Sequence, residues 1–233
     1  SATHVIVGSS MSARMRKEFF PSAYFNLSFG GGSALTGLDI IKRSGYNADV
    51  VYIETNTVFK EKNEDLIKTL FSPVVWKIKK YVPALQEKYQ PLNIIISGIK
   101  SSFGRTHEQY MRVKRNETIF KNNLKLHKSK YSRKLENYFS QLQELIKMVE
   151  YLEEKKIRVV FFELPIDSEL TNAIRVHELR IILKNNFSNS WLSLPKSEDY
   201  LTTDGIHLLY SSAYEYSRYF VQQTSTMGTN RKK

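Results

Sequence analysis

At 233 residues, with 41% apolar residues and 12% aromatics, the chain has the length and composition of one α/β domain with a substantial core, and wholesale disorder is excluded. It has no cysteine, so thiol catalysis, disulfides and cysteine-ligated zinc are excluded too, and no apolar run reaches the length of a membrane span. The net charge is +12, and residues 72–133 carry 14 Lys and Arg against the three acids Glu87, Glu108 and Glu117, so nearly all of the excess sits in one middle segment.

His4-Val5-Ile6-Val7-Gly8 is a short β-branched run broken at a glycine. It reads as a buried strand, followed by a tight turn at Ser9-Ser10 and a helix over 11–20 that stops at Pro21. Ser10 is then held at the carboxyl edge of a sheet, where backbone N–H groups and a helix's positive end stabilise an oxyanion; its plainer reading is an N-cap. The first strand opens within a few residues of Ser1, the arrangement expected of a chain trimmed of an upstream anchor, and no signal-peptide pattern is present.

A second strand is expected over 23–29, then Gly30-Gly31-Gly32 and an amphipathic helix over 33–44. The glycines fail the dinucleotide pattern G-x-G-x-x-G, because the sixth position is Leu35, and they read better as a close backbone approach, as to an oxyanion. The third strand, 49–54, ends at Thr55-Asn56. Asn56 falls on the same edge as Ser10 and Gly31, either as a site residue or as a turn or cap residue for a helix over 57–71.

Regular alternation is lost over 73–130. Residues 73–82 around Trp76 read as a basic amphipathic helix and 91–99 as an apolar run, so 72–133 is expected to be a basic, mainly helical insertion that walls or covers the site. Its charge would attract an acidic polysaccharide, phospholipid headgroups or nucleic acid; the bland alternative is a solvated basic face. A membrane-surface role for the Trp76 helix is the alternative to packing in the core.

A long helix over 131–156 feeds a buried strand over 158–165, as a parallel crossover requires. A helix over 168–185, an edge strand over 191–194, a closing helix over 208–222 and a frayed polar tail over 224–233 complete the chain. Five strands alternating with helices predict a doubly wound α/β domain over 1–223, with its chemistry at the carboxyl ends of the strands. Asp204-Gly205-Ile206-His207 sets a carboxylate and an imidazole three residues apart near a helix start, where Asp204 can hold His207; the alternative is an Asp N-cap with an incidental histidine. His4, His107, His127 and His177 have no partner at ligand spacing and are expected to be structural or exposed.

With Gly8-Ser9-Ser10, Asn26-Leu27-Ser28-Phe29-Gly30-Gly31, Glu54-Thr55-Asn56 and Asp204-Gly205-Ile206-His207 in this order, the chain resembles the SGNH (GDSL-like) hydrolase and O-acetyltransferase superfamily. The resemblance implies a flavodoxin-like three-layer sandwich with a five-stranded parallel sheet. It implies Ser10 as nucleophile, Asp204 and His207 as its partners, and an oxyanion hole made by Ser10, Gly31 (or Gly32 in its place) and Asn56. No cofactor or metal is implied. The chemistry implied is that of an acetyl esterase or O-acetyltransferase acting through an acyl-Ser10 intermediate, on an acylated carbohydrate such as a cell-surface polysaccharide. The partners would be an acyl-ester donor and a carbohydrate acceptor, in an extracytoplasmic or membrane-associated place. Two positions depart from the pattern: Ser9 replaces the aspartate of the GDS form, and Glu54 and Thr57 replace the glycine and aspartate of G-x-N-D. Both resemble variants of surface-polymer acyltransferase branches. The competing expectation is a non-catalytic module that holds an anionic polymer or membrane surface through 72–133. Nucleic acid ranks last, because the charge lacks a reading motif.

Overall fold

The computed structural model describes residues 2–72 and 106–229; the elements expected over 73–82 and 91–99 lie outside them. Five strands, β1 (His4–Gly8), β2 (Tyr24–Ser28), β3 (Val50–Glu54), β4 (Arg158–Phe162) and β5 (Ser190–Trp191), form one parallel sheet in the order β2-β1-β3-β4-β5. That is the doubly wound, flavodoxin-like order, as expected. The helices are α1 (Ala34–Ser44), α2 (Glu64–Leu70), α3 (His107–Met111), α4 (Glu117–Tyr131), α5 (Phe139–Glu154), α6 (Ser168–Thr171), α7 (Ile174–Asn186) and α8 (Tyr210–Thr229).

Alternate strand residues point to opposite faces of the sheet, so one strand feeds two cores. Val5, Val7, Val51, Ile53, Val159 and Phe161 pack with α1 and α5 on one side. Ile6, Tyr52, Val160 and Phe162 pack with Phe120 and Leu124 of α4 and with Tyr216 and Phe220 of α8 on the other. Burial on both faces is why β1, β3 and β4 read as continuous apolar runs. Gly37 lets α1 lie against the sheet: a Cβ there would meet Val7 Cγ1 at 2.7 Å and the Leu27 carbonyl at 2.8 Å.

Several helices differ from expectation, each through a contact distant in sequence or a local backbone break. Residues 11–20 form two 3-10 turns, Ser12–Arg14 and Lys17–Phe19, in place of one helix. The buried Asn26 amide donates to the carbonyls of Ser12 (2.8 Å) and Met15 (2.6 Å), occupying acceptors that a continuing helix would use. The helix expected from 57 begins at Glu64, where Asn63 Oδ1 caps Leu66 N–H at 3.0 Å. The helix expected over 131–156 starts at Phe139, after Asn137 takes a φ of 52°. The one expected over 168–185 breaks between α6 and α7, and the edge strand expected over 191–194 is displaced to Ser190–Trp191, sharing only Trp191 with that span. The closing helix begins at Tyr210 and runs through Thr224, expected to open a frayed tail, to Thr229. Thr224 is buried, pairs with the Tyr24 hydroxyl at 2.6 Å and donates to Phe220 O at 2.9 Å.

Candidate active site

The order β2-β1-β3 places the loops that leave β2 and β3 on either side of the carboxyl end of β1. Ser10 is half-buried, two residues beyond that end. Its Oγ lies 2.8 Å from His207 Nε2, across 197 positions of sequence. His207 Nδ1 lies 2.7 Å from Asp204 Oδ2. A carboxylate can only accept when ionised, so the neutral imidazole carries its hydrogen on Nδ1, donates it to Asp204 and presents Nε2 as acceptor to the Ser10 hydroxyl.

Asp204 and His207 do not sit at a helix start. They occupy the loop of a short antiparallel ladder in which Thr202 pairs with Leu208, Thr203 N–H donates to His207 O (2.7 Å) and Leu209 N–H donates to Leu201 O (2.8 Å). The D-x-x-H spacing closes because Asp204 Oδ1 accepts the N–H groups of Ile206 (3.1 Å) and His207 (2.8 Å), which leaves Oδ2 for the ring. Gly205 takes a φ of 102°, and a Cβ there would meet Leu124 Cδ1 at 3.0 Å, so α4 packs directly on this loop. Burial would raise the Asp204 carboxyl, but the side-chain and backbone hydrogen bonds from His207, the electrostatic pull of its ring and the Ile206 N–H outweigh it and hold the group well below the usual carboxylate range.

Around Ser10, Ala13 N–H donates to Ser9 O (3.0 Å) and Met11 N–H donates to Ser9 Oγ (3.1 Å), while Ser10 N–H has no hydrogen-bond partner among the described residues. Only a 3-10 turn follows Ser10, so the helix dipole expected there is replaced by individual N–H groups. Gly31 is exposed on the loop after β2 with a φ of 82°, and among the described residues its N–H is likewise unpaired. Gly32 is buried for a different reason: a Cβ there would meet Thr36 Oγ1 at 2.4 Å. Asn56 pairs with the backbone of Leu164 in both directions, Oδ1 accepting its N–H (2.7 Å) and Nδ2 donating to its carbonyl (3.0 Å). That bond pair orients the amide at the sheet edge and uses one of its two N–H hydrogens on Leu164.

Two further residues stand closer to this chemistry than sequence spacing suggested. Glu54, noted only as a departure from a pattern, is buried and reaches the Ser9–Ser10 turn. His127, set aside as structural or exposed, lies half-buried on α4 one turn beyond Leu124. Burial lowers its imidazole pKa; Asp204 acts in the opposite direction, and His207 and Lys130 lower it further, so it feels the charges of the site. Nearby Tyr131 is pushed up to about 12, by burial first, with Arg175 opposing and Glu54 and Asp204 adding. A helical face alone could not have shown this, since it appears only once α4 is docked on the loop.

Among the described residues no group of three or more His, Cys, Asp or Glu is placed to hold a metal ion, and no helix is long and apolar enough to cross a membrane. What the site offers is a serine hydroxyl on an imidazole that a carboxylate orients, a set able to accept the hydroxyl proton as the oxygen attacks a carbonyl.

No family model matches the chain, and no curated protein matches it. Among solved structures it is similar to a crystal structure from Bacteroides fragilis described as a "putative acylhydrolase", at 15% identity and a TM-score of 0.47, over 97% of this chain and 86% of that one. At that distance the chemistry is read from this chain's own residues.

Proposed function

We propose that the chain is a serine-dependent ester-processing enzyme, an acetyl esterase or O-acetyltransferase acting on an acylated anionic carbohydrate. The observation that carries this reading is the continuous pair of contacts, Ser10 Oγ to His207 Nε2 at 2.8 Å and His207 Nδ1 to Asp204 Oδ2 at 2.7 Å. Ser10 Oγ attacks the ester carbonyl carbon while its proton passes to His207 Nε2, and the carbonyl electron pair moves onto oxygen. The oxyanion is received by the N–H groups of Ser10 and Gly31 and the free amide hydrogen of Asn56. Collapse expels the alcohol, protonated by His207, and leaves acyl-Ser10. Water or a sugar hydroxyl then gives its proton to His207 and takes the acyl group, which is the whole difference between hydrolase and transferase.

An anionic acceptor is supported by a groove of about 690 Å³ whose lining includes Met111, Val113, Leu201 and Leu209, with Arg112 and Lys114 beside them. Leu201 and Leu209 join this groove to the 202–208 ladder that carries Asp204 and His207, since Leu209 N–H donates to Leu201 O at 2.8 Å beside the Thr202–Leu208 bridge. Arg112 and Lys114 have no ion-pair partner among the described residues. The second reading, a non-catalytic module that holds an anionic polymer, draws on the same charges but leaves the Ser10–His207 contact without a purpose.

Incubation with a chromogenic acetyl ester, followed by intact mass, tests the proposal. Turnover with transient acetyl-Ser10 is expected, and both vanish in Ser10→Ala while that variant stays folded. Undiminished turnover in Ser10→Ala would refute it. Acetylated acceptor rather than free acetate would identify a transferase.

A further inference from the structure

Glu54 is 1% exposed, and no step of the ester chemistry above uses it. From the end of β3 its carboxylate reaches the turn that follows the neighbouring strand β1. Oε2 accepts Ser9 N–H (2.7 Å), Ser9 Oγ lies at 2.9 and 3.1 Å from the two oxygens, Ser12 Oγ at 2.8 Å and Thr57 Oγ1 at 3.3 Å. Each neighbour is an N–H or O–H donor, and among the described residues Glu54 has no ion-pair partner. The Ser9 hydroxyl also accepts Met11 N–H at 3.1 Å. The carboxylate therefore holds residue 9 directly and residue 11 through one hydroxyl, gripping the chain on both sides of Ser10. Gly8 reports the same crowding: a Cβ there would meet Ser12 Oγ at 2.0 Å and Glu54 Oε2 at 2.5 Å.

We infer that Glu54 is the positioning residue of the Ser10 turn, a buried carboxylate delivered from β3 that sets Ser10 Oγ on His207 Nε2 and leaves Ser10 N–H free. The inference rests on the ester-chemistry reading and goes beyond it by naming what builds the nucleophile's geometry. It has a structural corollary. Ser9 Oγ already lies at hydrogen-bond distance from both Glu54 oxygens, so an aspartate at position 9 would extend its own carboxylate into the same set of donors. The two placements exclude each other, because two carboxylates in one buried shell repel. Moving the carboxylate from position 54 to position 9 should preserve the turn, whereas removing it or doubling it should not.

The test is kcat and KM for 4-nitrophenyl acetate in the wild type, Ser10→Ala, Glu54→Gly, Ser9→Asp and the swap Ser9→Asp/Glu54→Gly, together with exchange, followed by NMR, of the Met11 amide, which the side chain at position 9 holds. Glu54→Gly is expected to lower kcat about 100-fold, the scale of an ångström-sized misplacement, with KM nearly unchanged. Ser9→Asp alone should also be impaired, and the swap should regain about tenfold or more over Glu54→Gly, a non-additivity that a mere packing defect would not produce. If Glu54→Gly does not fold, Glu54→Gln serves in its place, keeping the volume and losing one acceptor, with an expected fall in kcat of about tenfold at constant KM. Wild-type kcat in a folded Glu54 variant, or a folded swap no faster than Glu54→Gly, would overturn the inference. Should the wild type show no Ser10-dependent turnover, the functional reading fails, and the amide still decides the inference. Slow exchange in the wild type and the swap with fast exchange in Glu54→Gly supports positioning; equal exchange in all three overturns it.

Discussion

Asp204 is the residue whose energetics are most clearly tied to the proposed chemistry. Its carboxyl titrates lower in the folded chain than in the unfolded one, because burial is outweighed by hydrogen bonds from His207 and the Ile206 N–H. Its contribution to stability is therefore complete above the unfolded value of about 3.9 and is lost as pH falls below it, where the unfolded chain binds the extra proton. Asp204→Asn is expected to flatten that acid loss in urea unfolding curves recorded from about pH 6 down to about pH 3. The same substitution should lower kcat on an acetyl ester on the order of 10⁴-fold, because an amide can donate to Nδ1 and favour the wrong tautomer of His207. Wild-type kcat in this variant would remove Asp204 from the mechanism.

Helices and loops place these residues, and two glycines separate placement from mere packing. Gly205→Ala would force a side chain into a φ of 102° and against Leu124 of α4. A loss of roughly 1–3 kcal/mol is expected, with a fall in kcat as the Asp204–His207 loop shifts. Gly37→Ala, which would press α1 against Val7 and the Leu27 carbonyl, should cost a similar amount in thermal or urea unfolding while leaving kcat/KM unchanged. Equal effects of the two on kcat would mean that the loop has no special part. The elements most legible in the sequence are those that local pattern decides: Val5-Ile6-Val7 and Val159-Val160-Phe161-Phe162 as strands buried on both faces, and α1 by its apolar period. The span 11–20 departs from its helical pattern because Asn26, on β2, takes the carbonyls that would extend a helix. The span 131–156 departs from one continuous helix because Asn137 adopts a positive φ in mid-pattern.

Across the whole molecule, the site joins the two ends of the chain, and its legibility follows sequence distance. Asp204 and His207 could be paired from three residues of spacing, and Ser10 from its place after a strand. The Glu54 shell joins residues 42–45 positions apart, so the replacement of aspartate by Ser9 looked like a lapse in a pattern when its partner was a carboxylate on another strand. The uneven charge gives a molecule-wide expectation. Charge reversal at Arg112 and Lys114 should raise KM for an acetylated anionic polysaccharide about tenfold, an effect that added salt diminishes, while kinetics on a small neutral acetyl ester stay unchanged. A parallel change on both substrates would place those cations elsewhere in the mechanism.

Covalent labelling is the most direct measurement of whether the two chain ends make a working nucleophile. After treatment with a serine-directed fluorophosphonate and peptide mass mapping, a single adduct on Ser10 is expected in the wild type and none in His207→Ala. An adduct on a different residue, or labelling of Ser10 that is indifferent to the loss of His207, would contradict it.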